Sequence, residues 1–125
     1  MKFKETLPPS CPPIEVKPPS NPTLWRLVGQ PSVNPEDFQS HAARFPLRTY
    51  SDPCKARAVS LITSLEACRS LTKLPSPNVR GLTHAAEVKC DQQAGVYDHN
   101  GPTHVSFWLA SHVDPLTLVC SVEAL

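Results

Sequence analysis

Seven of the chain's 15 prolines fall within its first 22 residues, at Pro8, Pro9, Pro12, Pro13, Pro18, Pro19 and Pro22. Proline fixes its own φ and has no N–H, so a stretch this interrupted can neither continue a helix nor serve as a central strand. The same 22 residues offer only Phe3, Leu7, Ile14 and Val16 as sizeable apolar groups, too few to offset the entropy of ordering them. The sequence therefore predicts a disordered, partly polyproline-II leader over residues 1–22 and one small domain over residues 23–125. The other eight prolines punctuate that domain at turns and helix ends. Roughly 100 residues suffice for one modest core.

The domain carries nine basic and nine acidic side chains, and the leader supplies the whole formal net charge of +1. Such a balance provides no long-range field for phosphate backbones, which argues against a general nucleic-acid binder. Glu5 and the prolines break any signal-peptide-like apolar run after Met1-Lys2-Phe3-Lys4. No stretch approaches the ~20 apolar residues of a membrane span. The five cysteines, Cys11, Cys54, Cys68, Cys90 and Cys120, are odd in number and lack close pairs. Reduced thiols in a cytoplasmic protein are the simplest reading, with Cys11 the most exposed.

Periodicity gives an α+β domain with two short helices on a mostly antiparallel sheet of five to six strands. Thr23–Val28 reads as the first strand. Asn34-Pro-Glu-Asp37 starts a helix, whose Phe38, Ala42 and Phe45 form one stripe before Pro46 ends it. Ala56–Ile62 reads as a strand, followed by the capping box Thr63-Ser-Leu-Glu66 and a helix over 64–73 with Leu65, Cys68 and Leu71 inward. Strands follow at 85–90, 95–99 and 103–109, the last two flanking the hairpin signal Asn100-Gly101. Leu116, Leu118, Cys120 and Val122 alternate to the end.

The histidines are the natural candidates for chemistry, because imidazole binds metals and moves protons near neutral pH. On a strand His104, Ser106 and Trp108 share one face, a mixed polar and aromatic surface of the kind small ligands use. Metal binding is not indicated: zinc sites usually announce themselves by closely spaced ligand pairs, and none occurs. No Gly-x-Ser-x-Gly elbow or Gly-rich phosphate loop is present.

An arginine in the first strand (Leu24-Trp-Arg-Leu-Val28), a serine in the second before a capped helix (Val59-Ser-Leu-Ile-Thr-Ser64), and the late strand Thr103–Leu109 together resemble a compressed ADP-ribosyltransferase. The resemblance covers three short segments. It implies that Arg26 and Ser60 hold a nicotinamide dinucleotide, NAD. The family's late glutamate has no counterpart, since the matching place carries His104 or Ser106.

Three functional classes follow. The first is a small, non-catalytic binding or accessory module with a protein or small-ligand partner and no cofactor. The second is a small NAD-dependent ADP-ribosyltransferase-like enzyme, or a degenerate relative. The third is an oligomer subunit with an apolar patch around Phe107, Leu109 and the last strand. A ligand pocket would be lined by Arg26, Ser60, His104, Trp108 and His112, with Arg26 as anion anchor and Trp108 as stacking surface. The Pro-x-x-Pro spacings Pro9–Pro12 and Pro19–Pro22, the second beside Lys17, suit aromatic grooves or serve as spacers.

Overall fold

A computed structural model describes residues 1–13, 16 and 23–125. The second Pro-x-x-Pro spacing and Lys17 lie outside the described residues.

The domain is α+β, with six antiparallel strands in one sheet: β1 (Thr23–Val28), β2 (Val59–Ile62), β3 (His84–Lys89), β4 (Gly95–His99), β5 (His104–Leu109) and β6 (Val119–Ala124), in the order β4-β5-β2-β1-β3-β6. The helices are α1 (His41–Arg44), α2 (Pro53–Ala56) and α3 (Leu65–Thr72). Because β2 and β3 are both antiparallel to β1, they are parallel to each other. Parallel strands require a crossover, and α3 supplies it, carrying the chain past β1.

Alternation along the strands divides the core in two. Leu24, Val59, Leu61, Val88, Val105, Phe107 and Leu109 pack on one face, covered by Phe38, Val113, Leu116 and Leu118. Trp25, Leu27, Ile62 and Ala85 pack on the other under Leu65, Cys68 and Leu71 of α3. Phe107 and Leu109 are thus buried rather than forming an exposed patch. Gly95 lies where the edge strand β4 closes on β5, and a Cβ there would run into the Trp108 carbonyl oxygen. Glycine is therefore required by the close approach of the two backbones.

Six local expectations are corrected. The helix predicted from Asn34 to Phe45 is divided into a 3-10 turn, Pro35–Phe38, and α1. Ser40 divides it: its hydroxyl accepts from the Ala43 N–H at 3.1 Å and donates to a Glu5 carboxylate oxygen at 2.5 Å, so Ser40 starts a new helix instead of continuing the old one. Phe45, the third residue of the predicted stripe, is exposed beneath the Arg48 guanidinium, 3.9 Å from its ring centre. The cap of α3 is Ser64, which accepts from the Ala67 N–H at 3.1 Å. Thr63 instead donates its backbone N–H to Thr103, extending the β2–β5 pairing.

The strand predicted from Ala56 begins at Val59, because Asp52 accepts from the Lys55 N–H and winds Pro53–Ala56 into α2. Near the C-terminus, Pro115–Leu118 is a 3-10 turn rather than strand. In β6 the register slips between Val88↔Val119 and Glu87↔Ser121, leaving Cys120 as an extra residue without an opposite partner. This bulge turns Cys120 to solvent instead of placing it in the core alternation.

The largest difference concerns residues 1–13, which lie against the sheet as a strap. Where β2 stops at Val59, Phe3 takes its place opposite Ala110. Lys4 donates its N–H to the Leu109 carbonyl at 2.9 Å, and Ser111 donates to the Lys2 carbonyl at 2.8 Å. Strand β5 continues past the end of its neighbour, and its backbone groups need partners there. The strap supplies them, so it is ordered by backbone pairing rather than by the apolar burial its composition lacks.

Candidate functional site

Arg26 lies on the same face of β1 as Leu24. Strands β1 and β2 are in register only at Trp25↔Ile62, and beyond that point the Arg26 side chain bridges them. Its Nη1 donates to the Ser60 carbonyl at 2.8 Å and its Nε to the Asp37 carbonyl at 2.7 Å. Burial, with Arg44 acting the same way and Asp37 opposing, pulls its guanidinium down to about 10, still charged at neutral pH. Arg26 fastens the Pro35–Phe38 turn to the sheet by backbone contacts.

Ser60 and His104 lie on the opposite face, with Ser60 directly across from Ser106 and His104 across from Ile62. A polar cluster surrounds them. Lys55 of α2 donates to Asn100 Oδ1 at 2.7 Å, and its ammonium lies 3.9 Å from the Asp98 carboxylate. The Asn100 amide therefore turns its Nδ2 to His104 Nδ1, at 3.2 Å, and to Ser106 Oγ. An imidazole accepting at Nδ1 carries its proton on Nε2 when neutral. Burial, then the charges of Lys55 and Arg26, lower the His104 pKa and favour that neutral form. Asn100 stands between Ser106 and His104 and bonds both, an arrangement that holds the hairpin end rather than pairing a nucleophile with a base.

Trp108 is 1% exposed, and its indole N–H donates to the Cys54 carbonyl at 3.1 Å. Its ring is packing material in this arrangement, with no exposed face for stacking.

His112 lies elsewhere, in an open groove of ≈ 490 Å³. One wall is Lys4 and Glu5 of the strap, a second runs from Pro35 to Ala43, and the third is His112–Pro115. Phe38 and Val113 give it an apolar lining, while Glu36 and Asp114 bring carboxylates. Glu5 is fixed by the Ser40 N–H at 3.0 Å, the Ser40 hydroxyl, and Arg57 Nη1 at 3.4 Å. Thus the strap is held to both the Pro35–Arg44 region and the sheet. A second cavity, ≈ 20 Å³, lies under the strap between Phe3, Leu7, Phe38 and Trp108.

Cys11 and Cys54 form a disulfide, with their Cα atoms 5.5 Å apart. This corrects the expectation of five reduced thiols with Cys11 the most exposed. Spacing could not announce the pair, since the two cysteines are 43 residues apart. Cys68 and Cys90 are buried free thiols, and burial pushes them up to about 11 and about 12. Both are inert at neutral pH. No group of three or more His, Cys, Asp or Glu suited to a metal occurs among the described residues.

The structure therefore brings Ser60 and His104 to one sheet face, with Trp108 further along it, and places Arg26 and His112 elsewhere. Sequence reasoning did not find Lys4, Glu5, Glu36, Gln39, Lys55 or Asn100. Asn100 carried a turn signal only, and Lys55 and Asn100, 45 residues apart, form no motif.

No protein-family model, curated protein or solved structure matches this chain. No helix among the described residues is long and apolar enough to cross a membrane.

Proposed function

We propose that this is a small, non-catalytic binding module whose groove accepts a protein segment bearing a basic side chain. The observation that carries this reading is the groove itself, walled on three sides, lined by Phe38 and Val113, and flanked by the Glu36 and Asp114 carboxylates. An apolar lining with a few placed charges is how such sites combine affinity with orientation. The cytoplasmic location is kept as part of the proposal with one condition: reduced cysteines no longer support it, so it requires a Cys11–Cys54 bridge that thiols can open there.

The test is a calorimetric titration of the full chain with two short extended peptides, one carrying Lys and Arg and one carrying Asp and Glu in their place. The basic peptide is expected to bind, and Glu36→Arg to weaken it at least tenfold, or about 1.4 kcal/mol. Binding of the acidic peptide alone, or equal affinity for Glu36→Arg, would overturn the reading. A second reading, the NAD-dependent ADP-ribosyltransferase-like enzyme or its degenerate relative, draws support from the shared face of Ser60 and His104. Under it NAD raises the melting temperature, and its amide shifts centre on Ser60, His104 and Ser106 rather than on the groove.

A further inference from the structure

The strap holds on by few contacts besides its covalent one. Two backbone hydrogen bonds join it to β5 and the residues just after, and the Glu5 carboxylate reaches Ser40 and Arg57. None of residues 1–13 is fully buried, and Phe3, Leu7, Pro8, Cys11, Pro12 and Pro13 are half-buried. A segment without a single fully buried side chain belongs to the low-stability end of a domain, the part that opens locally. The Cys11–Cys54 bond joins this segment to α2, and α2 packs on the sheet through the Trp108–Cys54 contact. In the cytoplasm, disulfides are usually transient, catalytic or redox-sensing.

We propose that the Cys11–Cys54 bond is a thiol-operated latch: bridged, it holds the strap as a wall of the groove, and reduced, it releases the strap and opens that wall. A thiolate of a dithiol reductant attacks one bridge sulfur. A mixed disulfide forms as the Sγ–Sγ bond breaks, and the electron pair leaves on the other cysteine as thiolate. The reductant's second thiolate then displaces the first cysteine and departs as a disulfide, so the protein gains two electrons and, on protonation, two thiols. Cys120 is exposed on β6, separated from the strap's position in the sheet by β1 and β3. It is not placed to exchange with the bridge. Release of the strap stands on its own, whereas its consequence for ligand rests on the groove reading above.

Amide hydrogen exchange on the full chain carrying Cys120→Ser, before and after treatment with dithiothreitol, tests the latch. The Lys4 and Ser111 amides, which mark the strap's pairing, are expected to lose at least tenfold in protection. The β5 amides from Val105 to Phe107 are expected to stay within twofold. Unchanged protection at Lys4 and Ser111 overturns the latch, and so does a parallel loss across β5, which would make the bond a staple of the whole domain. Cys11→Ser, in which no bridge can form, should reproduce the reduced pattern without reductant. The basic peptide separates the two proposals. Equal binding to both redox forms sinks the latch and leaves the groove reading standing, while strap release with no binding to either form sinks the groove reading alone.

Discussion

On one face of the sheet a regular helix, α3, covers Trp25, Leu27, Ile62 and Ala85, whereas the opposite face is covered by the Pro35–Phe38 turn, the Pro115–Leu118 turn and, at its end, the strap. The helical side needs only an apolar stripe and a cap. The other side needs named bonds: Arg26 to two carbonyls, Glu5 to Ser40 and Arg57, and Ser40 to its own helix. Irregular backbone has no internal ladder, so side chains and cross-links must supply its partners. Such a surface can also leave a groove where a packed helix would not.

Substitutions sharpen that contrast. The largest effect is expected from Phe107→Ala, which empties the centre of the irregularly covered face and should cost about 3–5 kcal/mol in denaturant unfolding. Next, Ser64→Ala removes the α3 cap and should cost about 1 kcal/mol while leaving peptide binding unchanged. A change in affinity would show that the two faces are coupled. Loss of the disulfide by Cys11→Ser frees a strap that opens locally, so it should cost less than about 0.5 kcal/mol in denaturant unfolding. A loss of about 2–4 kcal/mol, the usual range for a bridged loop, would make the bond a staple of the whole domain.

Much of this architecture was legible in the sequence, and the failures share a cause. Strand β1 was read from the strand propensity of its residues before Gly29 and Pro31, β3 from alternation, and β4 and β5 from the Asn100-Gly101 signal between them, because a half-buried strand writes its period and its turn directly into the sequence. The same alternation put His104, Ser106 and Trp108 on one face. The errors fall where a distant partner overrides local preference. Ser40 ends a predicted helix because Glu5 reaches it across 35 residues. Cys120 faces solvent because β6 bulges against β3. Residues 1–13 are ordered by vacancies along β5 that composition cannot register. Arg26 resembled a ligand anchor because nothing in the sequence shows that Asp37 and Ser60 present carbonyls to it.

The smallest predicted effect concerns protons. His41 and His104 both have pKa values lowered from 6.5, foremost by burial. Lowered histidine values mean that the unfolded chain binds protons before the folded one does. Stability is then unaffected by these groups well above pH 6.5 and falls as pH drops through and below it. Replacing His104 with Asn should flatten part of that fall in a series of unfolding curves. An unchanged slope would remove His104 as a contributor.

The strap's covalent join to α2 is read directly by peptide mapping of the natively purified, alkylated protein. Cys120 should be labelled without unfolding, Cys68 and Cys90 only after it, and Cys11 should be recovered linked to Cys54. Recovery of Cys11 bound to any other cysteine, or labelling of both Cys11 and Cys54 in protein kept from reductant, would contradict the strap and the latch built on it.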